Sequence, residues 1–95
     1  MSEKDQYIEK TKAKLDQWNA EIDRMQAKME EAEADAKIAY RKQLDEMRAQ
    51  RDAAEDRLKE LREAGDTAWA DVKAGFDTAW DSLSSAFDRA RSRFP

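Results

Sequence analysis

An all-α fold is predicted for this chain: one long coiled-coil helix and a shorter C-terminal helix form a helical hairpin, and two copies assemble as an antiparallel dimeric bundle. Three observations predict it. Charged residues make up 42% and hydrophobic residues 40% of the 95 residues, with only 2 Gly and 1 Pro, a balance of long helices rather than sheets. The apolar residues recur in steps of three and four, the spacing of one helix face. A near-duplicated stretch, AGDTAWADVK followed by AGFDTAWDSL, repeats every eleven residues, close to three helical turns.

The first helix is expected from about residue 3 to residue 63 of a single domain spanning 1–95. Ser2 and Asp5 have the spacing of a capping-box variant at its start. No Gly or Pro interrupts it. Ile8, Thr11, Leu15, Trp18, Ile22, Met25, Met29, Ala32 and Ala36 trace the a/d seam of a coiled coil. Two successive steps of four, Ala36 to Tyr40 to Leu44, then form a stutter that locally unwinds a left-handed supercoil. After Met47 the alternation resumes through Arg51, Ala54, Leu58 and Leu61. Such a helix, roughly 60 residues long, spans about 90 Å.

Gly65 suits the left-handed position that closes a helix, and Asp66 or Thr67 is placed to cap the next one. The turn is therefore expected at 65–66 and the second helix from about 67 to 93. In that helix Asp66, Thr67, Ala68 and Trp69 return as Asp77, Thr78, Ala79 and Trp80. Trp69, Val72, Phe76, Trp80, Leu83, Phe87 and Phe94 form one apolar stripe, flanked by Ala68, Ala79, Ala86 and Ala90. Gly75 costs up to about 1 kcal/mol in a helix interior relative to Ala, so it reads either as close packing beside a tryptophan or as a tolerated position. Arg51 on the seam reads as a side chain whose stem packs while its head reaches water, or as a cation–π partner of a facing tryptophan.

Chemistry is sparse. There is no His and no Cys, which removes the usual general base, the commonest transition-metal ligand and any thiolate metal site; no catalysis, cofactor or bound metal is expected. The acidic runs at Glu30, Glu31, Glu33 and Asp35, and at Glu55, Asp56, Glu60 and Glu63, read as solvated faces. Glu33 with Lys37 and Glu55 with Lys59 have the spacing of helix-surface pairs. A net charge of -4 with both signs finely mixed offers no basic patch to nucleic acid. No stretch approaches the apolar length of a membrane span and no apolar leader is visible at the amino terminus, so a soluble, cytoplasmic chain is expected.

Helix lengths predict self-association. A second helix of about 27 residues, or about 40 Å, covers the first only back to about Ala36. The remaining stripe, large side chains from Ile8 to Met29, costs roughly 1.5 to 3 kcal/mol for each one left in water. A second copy running antiparallel about a two-fold near Ala32 to Ala36 covers it, bringing Trp18 to Met47 and the Trp80–Leu83 turn of its mate. The residues expected at this core and oligomer interface are Ile8, Leu15, Trp18, Ile22, Met25, Met29, Leu44, Met47, Leu58, Leu61, Trp69, Val72, Phe76, Trp80, Leu83 and Phe87.

The stretches LDQWNAEID and AGDTAWADVK, with the opening YIEKTKAKLDQWNAEIDRMQAKMEEAEADAKIAYRKQLDEM and the ending SRF, resemble a family of short bacterial coiled-coil domain-containing proteins. The resemblance implies a helical structure and carries no activity, cofactor or site residue. The function expected is a structural or protein-interaction module, a homodimer with a further protein partner of unspecified kind. The alternative is a peripheral lipid-binding or stress-protective helix, since eleven-residue amphipathic repeats also lie in bilayer interfaces. Five aspartates and four basic residues from Ala64 onward weigh against it, because anionic lipids attract a Lys/Arg-rich face.

Overall fold

The structure is a computed structural model that describes residues 2–94. Three helices follow one another: α1 (Glu3–Glu31), α2 (Ala34–Glu63) and α3 (Trp69–Ser92). α1 starts where Ser2, in extended conformation, accepts the Asp5 backbone N–H on its hydroxyl at 3.1 Å, and Glu3 and Asp5 place negative charge in the first turn, where the helix dipole favours it.

The single helix expected over 3–63 is two helices. α1 ends at Glu31 and α2 begins at Ala34, with Ala32 at φ -79°, ψ 157° and Glu33 at φ -69°, ψ 160°. Both lie in the extended region open to any L-residue, so a reversal of direction is made without glycine or proline. The physical reason for the break is burial. Folding back at this point brings α1's apolar stripe onto α2 within one chain, for the loss of only a few helical hydrogen bonds. The stutter between Ala36 and Met47 lies inside α2, which runs through it unbroken.

The second connection differs in detail from expectation too. It occupies 64–68, and α3 starts at Trp69 rather than near residue 67. No glycine among the described residues has positive φ; Ala64 closes α2 in extended conformation. The Ala68 N–H bonds to Gly65 O at 3.0 Å, forming a turn that needs no left-handed residue. Neither Asp66 nor Thr67 caps α3: Ala68 holds the cap position, without a side-chain bond. Lys4 Nζ reaches across from α1 to donate to Ala64 O, satisfying a carbonyl freed at the end of α2.

The helices run up, down and up. Arg48 meets Gln26 and Arg51 meets Asn19, so α1 and α2 are antiparallel. Tyr40 packs tilted against Phe94, ring centroids 4.5 Å apart, at the opposite end of the bundle from the α2–α3 turn, so α3 is antiparallel to α2 and parallel to α1. The result is a rod of 53 × 21 × 17 Å with a radius of gyration of 15.6 Å, against about 12 Å for an equally long compact chain. Its interior has two layers. Ile22, Met25, Leu44, Met47, Phe87 and Ala90 fill one; Leu15, Ala54, Leu58, Leu61 and Phe76 fill the other.

Candidate functional site: the aromatic groove that holds α1

α2 and α3 form a groove, and α1 lies in it. Backbones approach closely between α2 and each of its neighbours, whereas α1 and α3 meet less closely. Rings fill the space between them. Trp18 of α1 stacks on Phe87 at 4.2 Å and 6° and on Trp80 at 4.7 Å and 16°. Three turns toward the amino terminus, Tyr7 meets Trp69 and Phe76 edge to face at 5.7 and 5.9 Å. Edge-to-face and offset-stacked pairs contribute about 0.5–1.5 kcal/mol each beyond the area they bury.

All sixteen residues expected at the interface line this interior. Leu15, Ile22, Met25, Leu44, Met47, Leu58, Leu61, Phe76 and Phe87 are buried. Ile8, Trp18, Met29, Trp69, Val72, Trp80 and Leu83 are partly buried and pack against them. Their contacts lie within one chain: the Trp18 to Trp80 approach expected between copies is made inside a single bundle. Trp18 packs against both core layers, and so joins them.

Polar groups edge the groove. Tyr7 Oη donates to Asp77 Oδ1, and Lys73 lies 4.9 Å from the Tyr7 ring centroid and 3.3 Å from the other Asp77 oxygen. Burial, the Asp77 hydrogen bond and the nearby Asp77 and Asp81 charges raise the Tyr7 phenol above its ordinary range. Lys14 sits 5.6 Å from the Trp80 ring. On the α1–α2 side, Arg48 Nη2 donates to Gln26 Oε1 at 2.6 Å and Arg51 Nη1 to Asn19 Oδ1 at 3.1 Å. Thr11, buried, donates its hydroxyl to Tyr7 O at 3.0 Å.

The two positions that carried alternative readings are decided by the fold, Gly75 in favour of the tolerated position. Arg51 takes neither reading alone: its guanidinium bridges Asn19 across the helices and Asp52 beside it. Gly75 is exposed, and a methyl group built on it meets nothing within 4 Å, so no tryptophan packs there and the glycine eases no contact. Tyr7 is the groove residue that the apolar period alone does not mark. Its signal was its distance from Trp18, eleven residues, the same period that links Trp69 to Trp80.

Among the described residues no group of three acidic side chains is placed to hold a metal ion, and no helix is long and apolar enough to cross a membrane. The surface ion pairs are mostly i,i+3 contacts along single helices, such as Arg24–Glu21 at 2.6 Å and Arg91–Asp88 at 3.3 Å. No family model, curated protein or solved structure matches the chain.

Proposed function

We infer that this chain is a non-catalytic helix-recognition module whose groove between α2 and α3 binds an amphipathic helix, and that it self-associates as an antiparallel homodimer. The single observation that carries this is α1 itself. It occupies the groove as a ligand helix does, with Tyr7, Leu15, Trp18, Ile22 and Met25 as anchors at the spacing of one helix face, the pattern of helix-in-groove recognition. The aromatic anchors supply large contact area at low rotamer cost, as they do at binding hot spots, and the Asp77, Lys73 and Lys14 edge fixes register.

Sedimentation equilibrium of the purified chain tests the reading. A dimer fraction that rises with concentration supports it, and a chain that stays monomeric throughout removes it. The lipid-surface alternative draws on the apolar stripe that runs the length of α3 from Trp69 to Phe87 and on to Phe94 just beyond its end. Cosedimentation with vesicles of mixed anionic lipid, accompanied by a blue shift of Trp emission, favours that alternative; no binding is expected, because the stripe already faces α1 and α2.

A further inference from the structure

We propose that the Ala32–Glu33 turn is a hinge that straightens into helix, letting two copies exchange α1 so that each copy's α1 fills the groove of the other. The proposal rests on the helix-recognition reading above and adds its route and its partner, a second copy of this chain.

Four observations point to the hinge. The turn is two residues long and contains neither glycine nor proline. The residues around it, EEAEADAK, are mostly strong helix formers, so local preference opposes the extended conformation that Ala32 and Glu33 adopt. The helix start that it creates is thinly capped: Glu33 makes no side-chain cap bond, and among the described residues the backbone N–H groups of Ala34, Asp35 and Ala36 reach no backbone carbonyl. Straightening gives those groups the carbonyls of Glu30, Glu31 and Ala32 as i−4 partners. Finally, the apolar stripe is in phase across the turn. On a straight helix with 3.6 residues per turn Ile22, Leu44 and Met47 lie within about 60° of one another, so the opened chain presents one continuous seam.

Opening alone is unfavourable, because α1 leaves the groove and exposes Leu15, Trp18 and Ile22. A second opened copy reverses that loss. Its α1, running antiparallel, finds the same groove with the same Trp80 and Phe87 rings, and every contact of the closed bundle is remade between chains. The only segment that differs is the hinge, where each chain exchanges a thinly capped turn for helix. The small side chains of Ala32, Ala34 and Ala36 sit at the two-fold, where the long helices cross. Exchange of an identical element is a low-cost route to a dimer, and short hinges whose sequence favours the open form invite it.

Ala34→Pro separates exchange from other association. Residue 34 is the first of α2, where proline is well accommodated and where Glu33 already has the extended backbone that a following proline requires. In the straightened helix the same proline clashes with the carbonyl of residue 30, at a cost on the order of 100-fold in equilibrium per chain. The natural chain, unfolded and refolded at high concentration, is expected to give a dimer whose maximum dimension by small-angle scattering is about 90 Å, against 53 Å for the closed chain. The chain has no cysteine, so Asp23→Cys carries a single spin label, with labels expected roughly 30 Å apart in the exchanged dimer. Ala34→Pro is expected to abolish both signals and to keep the melting temperature of the monomer. A four-residue Gly-Ser insertion between Ala32 and Glu33 is a second lock, expected to act in the same direction. A dimer that survives both locks, or one lacking the 90 Å dimension, overturns the exchange and leaves self-association standing. A monomer at every concentration overturns both.

Discussion

Among the described residues Trp18 is the partly buried hydrophobic packed against both core layers, and it stacks on two rings of α3, so its removal uncouples α1 from the groove. Trp18→Ala is expected to cost about 3 kcal/mol, the low end for a large aromatic because the ring is only partly buried. Thermal or urea unfolding measures it, and a double-mutant cycle with Phe87→Leu is expected to return a coupling of about 0.5–1.5 kcal/mol. Tyr7 adds a pH dependence. Its folded phenol is raised, through burial first and Asp77 second, so the folded state holds this proton more tightly than the unfolded chain does. The contribution is present in full below the unfolded value near 10 and is lost as pH climbs through the higher folded value. Stability measured by urea unfolding is expected to fall with pH above about 10, more steeply than in Tyr7→Phe; equal slopes would show that the Tyr7 phenol carries none of it.

Among the elements, α3 carries a removable weakness. Gly75 sits in its interior with helical backbone, exposed, with space around its Cα. Gly75→Ala is expected to stabilise the bundle by about 0.5–1 kcal/mol, because alanine limits the unfolded chain and loses less entropy in the helix. A calorimetric melting temperature that falls instead would mean that the α2–α3 face tolerates no methyl there. The connections show the same economy of local signal. The α1–α2 turn uses ordinary extended φ/ψ at Ala32 and Glu33, and the α2–α3 turn closes without a left-handed glycine.

For the whole molecule, helices of 29, 30 and 24 residues in a chain of 95 set the expected circular dichroism at more than four-fifths helix. Its core layers share Trp18 and are threaded by all three helices, so unfolding is expected to be a single cooperative transition, the same by far-ultraviolet dichroism and by Trp emission. Two separated transitions would show that the layers melt independently. The elongated shape places most of the charge-laced surface on long exposed faces. There isolated ion pairs such as Lys12–Glu9 contribute little, about 0–1 kcal/mol each.

The sequence by itself determined that the chain is all-helical, that Ser2 starts the first helix, and which side chains face inward. Those properties are local: the 3.6-residue period marks Leu15, Ile22, Leu44, Leu58, Phe76 and Phe87 as one face wherever that face is buried, and a capping serine acts within its own turn. Even the pairing of Trp18 with Trp80 was legible, because helix lengths set the register once α3 folds back along α2. What only the tertiary structure decided is whether that pairing is made within the chain. Residues 30–37 prefer helix, and nothing in their composition marks a reversal. The turn at Ala32 and Glu33 exists because folding α1 back buries its stripe without recruiting a second molecule, and that gain outweighs the helical hydrogen bonds given up. An exchanged pair of the kind proposed would contain the same side-chain contacts as the closed bundle, so no periodicity distinguishes the two. The difference rests on two backbone conformations and on the entropy of association.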